Sequence, residues 1–231
     1  MRSNRTRRIL LPLVVLTTAC GGGEPPPSDP ALVWSEAVAW VPGEAGLLGD
    51  DWAYATEASD SLPQDLVERV ATAVAAVEGD VRVLAVTRDA CIDSAHTIPY
   101  LAALANAVSG LELRVAHPRL GGALMEAHRT PDGRAATPTV LFLDEAGEVR
   151  GCWLERPASL QTWYLENPDE LGRVEKFATK TEWYEADRGA HTLSEVALVL
   201  EAVVADTPIC GLPLDSIAAL PEPGSVATSA R

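Results

Sequence analysis

Cys91-Ile92-Asp93-Ser94 is the segment whose residue types and placement suit nucleophilic chemistry. It follows Val81 to Thr87, a short, β-branched, mostly apolar run that reads as a buried strand. It precedes a helical pattern in which Ile98, Leu101, Leu104, Ala105 and Val108 face inward until Gly110 closes it. A cysteine between strand and helix lies against the unpaired amides of the first helical turn, where the dipole favours negative charge. The thiolate is the attacking form of sulfur. Ser94 is placed to donate its hydroxyl to that sulfur, so the motif reads as a two-thiol pair with its second sulfur replaced by oxygen. Arg88 brings a positive charge from the strand side. Asp93 opposes it, because a nearby carboxylate penalises a thiolate.

The chain has four cysteines and four histidines. No cysteine pair has zinc-site spacing, and His96, His117, His128 and His191 are scattered, so neither a metal nor a cofactor is implied. The expected hairpin places Thr139 near Cys152, about two strand spacings or ~10 Å from the strand that leads to Cys91. A disulfide needs Cα atoms within about 7 Å, so Cys152 reads first as a small buried thiol on an edge strand. Cys210 lies on the flexible C-terminal tail and can reach either sulfur. A resolving role toward Cys91 and a clasp with Cys152 both stay open. His96, five residues past Cys91, falls on another helix face and reads as a surface residue. Trp153, Trp163 and Trp183 read as core or groove packing.

The elements that must position these groups follow from periodicity. Ser61 to Gln64 looks like a capping box, followed by Leu66, Val70, Ala73, Val74 and Val77 at helical spacing. The strand, turn and helix around Cys91 come next. Leu111 to Ala116 alternates as a strand, and Gly121 to His128 is a short helix. Residues 139–143 and 148–153 form a hairpin about Asp144 to Gly147. Residues 158–165 and 192–205 are helices, the second opened by another capping box, Thr192 to Glu195. Glu155-Arg156-Pro157 reads as a helix start. Two strands flanking a helix are parallel through a right-handed crossover, and the final pair is antiparallel. That order gives an α/β fold with a mixed central sheet between helices.

Two features give a resemblance. Pro99 falls eight residues after Cys91, where thioredoxins carry a helix-kinking proline. Thr137-Pro138-Thr139 opens a strand where thioredoxins carry a cis-proline facing the active sulfur. A proline suits a strand start because it cannot donate to the ladder. Residues 84–202 resemble a bacterial subfamily of thioredoxin-like proteins with an acidic-Trp-Cys-x-Asp-Ser or -Cys segment. The similar stretches are Asp89-Ala90-Cys91-Ile92-Asp93-Ser94, residues 137–148, 153–157 and 183–189. The resemblance implies a thioredoxin-like three-layer α/β/α sandwich, with Cys91 and Ser94 catalytic and Thr137 and Pro138 lining the substrate groove. Ala90 replaces the family's Trp, and Ser94 leaves no resolving thiol in the motif, which counts against ordinary dithiol turnover.

The ends supply the setting. Arg2, Arg5, Arg7 and Arg8 precede the eight-residue run Ile9 to Leu16, too short to span a bilayer, which takes about 20 residues. With Thr17, Thr18 and Ala19 before Cys20, residues 1–19 read as a signal peptide resembling a bacterial lipobox leader, and Cys20 as the lipidation site. Residues 20–30, rich in Gly and Pro, read as a tether; 31–60 as an N-terminal extension; 61–206 as the domain; and 207–231 as an irregular tail. Loss of the leader's four arginines takes the formal net charge from −15 to −19. Such a surface repels nucleic acid and anionic headgroups, so the expected membrane contact is the lipid on Cys20, at an extracytoplasmic face of the cell envelope. Three functions fit: a one-thiol oxidoreductase acting on protein or small-molecule thiols and disulfides, a redox-inactive module binding peptides or partner proteins, and a thiol peroxidase. The last has least support, since Thr87 stands four residues before Cys91 rather than the three of peroxiredoxins.

Overall fold

The computed structural model describes residues 27–40, 58, 60–88, 91–166, 172–207 and 209–210. The leader, Cys20, most of the tether, Asp89, Ala90 and the tail beyond 210 lie outside the described residues.

Helix α1 (Pro30–Glu36) and strand β1 (Val38–Ala39) come first, then α2 (Gln64–Ala76), β2 (Val81–Val86) and α3 (Ile92–Ala107). After them come β3 (Leu111–Ala116), α4 (Pro118–Ala127), β4 (Thr139–Leu143), β5 (Val149–Leu154), α5 (Ala158–Glu166), α6 (Arg173–Asp187) and α7 (Ala190–Val204). The five strands run in the order β1-β3-β2-β4-β5. β2 and β3 are parallel, and β4 is antiparallel to both β2 and β5. This is the thioredoxin-like mixed sheet that the periodicity and the resemblance together imply.

Strand alternation divides the core. Val83, Ala85, Val140, Phe142 and Trp153 pack with α2, α3 and α7. Leu84, Leu141, Leu143 and Cys152 pack on the other face with Val33, Trp34 and Leu124 of α1 and α4. The N-terminal extension thus supplies α1 to the second layer and β1 to the sheet edge, where Val38 pairs with Val115.

Local details depart from the sequence expectations. Neither capping box forms. Helix α2 is capped at Pro63 without a side-chain bond, and Ser61 Oγ is buried with no hydrogen-bond partner. Helix α7 starts after Gly189, and Glu195 bonds elsewhere. Gly189 has φ +79° and sits so close to Tyr100 that a Cβ would lie 2.4 Å from its ring, a place only glycine fits. The hairpin register is offset by two residues: Thr139 pairs with Leu154 and Leu141 with Cys152, with an irregularity between Phe142 and Leu143. Helix α6 is an element the periodicity did not reveal.

Candidate functional site

Cys91 caps α3, with its own backbone extended (φ −92°, ψ 110°) and its carbonyl accepting from Ala95 N at 2.9 Å. Its side chain is half-buried rather than sealed, and it is the free cysteine among the described residues. The Thr137–Pro138 peptide is cis. Thr137 meets the sulfur with two contacts. Cys91 Sγ donates to the Thr137 carbonyl at 3.2 Å, and Thr137 Oγ1 donates to Sγ at 3.2 Å. The ladder holds Thr137 in place, because Val86 pairs with Thr139 and Glu155 N donates to Pro138 O at 2.8 Å.

Ser94 is not the residue that serves the sulfur. It is fully buried, and its Oγ makes no hydrogen bond. Three positions past an N-cap the side chain turns down into the core layer, where every α3 residue from Asp93 to Leu104 is enclosed. The hydroxyl role expected of Ser94 falls to Thr137.

Asp93, expected to act on the thiolate, is buried in a charged cluster. Its carboxylate accepts from Lys180 Nζ at 2.7 Å and Tyr184 OH at 2.9 Å, and Arg156 Nε is 3.6 Å away. These bonds join α6 to the first turn of α3. Burial first, then the Asp93 charge, push the Tyr184 hydroxyl well above its ordinary range, so it stays protonated and donates. His96 is a correction too. It is buried, its ring stacks on Tyr184 at 4.6 Å, and desolvation lowers its pKa to about 4. It packs as a neutral ring rather than lying on the surface.

Glu155-Arg156, expected to open a helix, instead turns into the site. Glu155 has φ +62° and accepts both ends of the Arg134 guanidinium, at 3.0 and 2.6 Å, and also a bond from Arg156. Arg156 lies 4.1 Å over the Tyr164 ring. Arg88 is exposed at the mouth of the same cleft. The sequence reading missed Arg134, Glu155, Arg156, Lys180 and Tyr184 as site residues. The only signal for most of them was the family resemblance over residues 153–157 and 183–189.

The remaining cysteines pair with each other. Cys152 and Cys210 form a disulfide with Cα atoms 4.4 Å apart, and Cys152 N donates to Ile209 O at 2.9 Å. Of the two roles open to Cys210, this is the clasp. Cys152 is buried on the edge strand as expected, but as half of a bond rather than as a thiol. Neither sulfur is free to resolve Cys91 while that bond stands. No group of His, Cys, Asp and Glu that could hold a metal occurs among the described residues.

Residues 61–173 match a family model described as Thioredoxin. The domain is thioredoxin-like. Two solved structures share the fold at 20% identity, each with a TM-score of 0.53 and each covering 74% of this chain. One is an HIV epitope-scaffold, 97% covered, and the other a protein of unknown function from Pseudomonas aeruginosa, 96% covered. No curated protein matches this chain. The thioredoxin-like domain is what admits a redox role for Cys91, and the site must supply the specifics.

Proposed function

We propose that this chain is an exported, lipid-anchored thioredoxin-like protein in which Cys91 is a one-thiol thiol-disulfide oxidoreductase centre. The observation that carries the reading is a half-exposed sulfur at the first turn of α3, within 3.2 Å of a hydroxyl donor from the residue before the cis-proline. Cys91 attacks, the Thr137 hydroxyl supports the sulfur, and the backbone beside Pro138 shapes the groove. With Cys152 and Cys210 bonded to each other, an external thiol releases the mixed disulfide. No helix of the described residues is long and apolar enough to cross a membrane, and in this proposal attachment comes from acylation of Cys20.

The second reading, a redox-inactive binding module, is favoured by the burial of Ser94, which leaves no second reactive group in the motif. Measuring Cys91 alkylation against pH, beside a Cys91→Ser control, separates the two. Fast reaction near neutral pH supports the oxidoreductase. Reaction as slow as that of an unassisted model thiol supports the binding module.

A further inference from the structure

The cleft that opens beside Cys91 encloses about 600 Å³, a size that suits a small organic ligand. Its charge contrasts with the rest of the chain. Overall the sequence carries a formal −15, yet the lining presents Arg88, Arg134, Arg156 and Lys180 against Asp93 and Glu155. Asp132 pairs with Arg134 from outside the lining, at 2.5 Å, and still leaves the cations in excess.

One cation is in an unusual state. Arg156 is 6% exposed; its Nε stands 3.6 Å from the Asp93 carboxylate, while its Nη1 has no hydrogen-bond partner. Guanidinium groups match carboxylates in a fork geometry, and a buried guanidinium with unfilled donors leaves capacity for an added acceptor. Phe177, 58% exposed, stands at the same cleft and offers an apolar surface.

From these features we infer that the Cys91 cleft selects small thiols and disulfides bearing carboxylates. The inference rests on the reading of Cys91 as an attacking sulfur and names its substrate class. A small anion is favoured over an acidic protein by range. Screening confines the cleft's field to about 8 Å at physiological salt. A small ligand inside that distance meets the surplus positive charge. An acidic protein must also lie across the acidic surface outside it. In the step itself, the Cys91 sulfur bonds to one sulfur of the disulfide as the ligand's own S–S bond breaks. The departing half leaves as a thiolate and takes a proton from solvent. A second thiol of the same class then attacks the mixed disulfide and frees Cys91, so the exchange needs no other oxidant or reductant.

The test uses the full chain and three disulfides of different charge: anionic dithiobis(nitrobenzoate), neutral dithiodipyridine and cationic cystamine. The rate of mixed-disulfide formation is followed on the Cys91 peptide by mass, and each rate is divided by that of a small model thiol with the same reagent. The expected normalised rate for the anion exceeds that for the cation by about tenfold or more. High salt should shrink the ratio. So should Arg88→Gln and Arg134→Gln, which alter exposed side chains and do not depend on whether an Arg156→Met chain folds. Equal normalised rates, a preference for cystamine, or an anion preference indifferent to salt and to both substitutions overturns the inference. Failure of Cys91 to react with any of the three removes the oxidoreductase reading itself. Reaction with dithiodipyridine but no charge preference removes only the substrate class.

Discussion

Cys91 and Cys152 both lie against β4, and they live in opposite surroundings. Cys91 touches Thr137, just before the strand, from the open end of a helix. Cys152 pairs with Leu141 in the middle of the same strand, fully buried and bonded to Cys210. One sulfur is placed at a helix start, where the carbonyl and the hydroxyl of Thr137 meet it. The other is placed where a covalent bond closes the sheet edge with residues 209–210. On the proposed function, what separates the two sulfurs is backbone position: a helix start against a strand interior, rather than the count or spacing of cysteines.

The sharpest break in that comparison is deletion of each sulfur. Cys91→Ser is expected to abolish thiol-disulfide exchange completely, measured with any disulfide reagent. The paired substitution Cys152→Ser with Cys210→Ser is expected to retain exchange and to lose stability instead. The sulfurs are 58 residues apart in sequence, and the chain-entropy model gives about 4 kcal/mol for a loop of that length. For a domain of this size that is roughly 10 °C in Tm. Retained exchange in the Cys91 variant, or lost exchange in the paired variant, would reverse the assignment of roles.

The next largest effect belongs to Asp93. With Asp93→Asn the buried Lys180 and Arg156 lose their shared counter-charge, a loss expected to cost roughly 3 kcal/mol. The check is a fall in denaturant midpoint at unchanged slope. A near-neutral result would mean that α6 is not held to α3 by this cluster.

These two regions also differ in how far the sequence exposed them. The strand before Cys91, the helix after it, Pro99 and Thr137-Pro138 each carry a local mark: β-branching, periodicity, or a proline at a strand start. Hence the fold and the sulfur's position were legible. The charged cluster was not. It is built from Asp93, Arg134, Arg156, Lys180 and Tyr184, spread over residues 93–184, and no local pattern links them. Helix α6 is half-solvated and polar, so few apolar positions mark it, and its role appears only once α3 and α6 are brought together. Ser94 misled for the converse reason. Its spacing fits the motif, but helical geometry turns its hydroxyl inward. The two-residue error in the hairpin had a similar origin, since the turn at Asp144 to Gly147 does not reveal the irregularity between Phe142 and Leu143.

Two buried titrating groups, on α3 and α7 of the same helix layer, work against each other. Glu195 accepts from Trp153 Nε1 and Ala158 N, each at 2.7 Å, and burial raises its pKa from 4.5 to about 7. The folded state therefore holds a proton that the unfolded chain releases, and its contribution is full below about pH 4.5 and lost as pH rises through about 7. His96 acts in the reverse sense. Its pKa falls from 6.5 to about 4, so its contribution is present above about pH 6.5 and lost as pH falls toward 4. Each shift corresponds to about 3 kcal/mol, with opposite slopes over nearly the same range. The unaltered chain is expected to show a flat profile there. His96→Phe should leave stability falling as pH rises, and Glu195→Gln should leave it falling as pH drops. Urea midpoints across the range decide this, and variants that merely run parallel to the unaltered chain would refute the pairing.

The smallest expected effect tests the hydroxyl that replaced Ser94. Thr137→Val removes the donor to Cys91 Sγ while keeping the β-branched shape before Pro138. A hydrogen bond of this kind contributes about 0.5–1.5 kcal/mol, so Cys91 alkylation at neutral pH should slow by roughly two- to tenfold. Ser94→Ala, which deletes a buried hydroxyl without a partner, should leave that rate unchanged and stability equal or higher. The two variants therefore separate motif spacing from observed contact. If Ser94→Ala slows the reaction and Thr137→Val does not, the sulfur is served along its own helix. If the reverse holds, it is served across the sheet by the strand that the cis-proline opens.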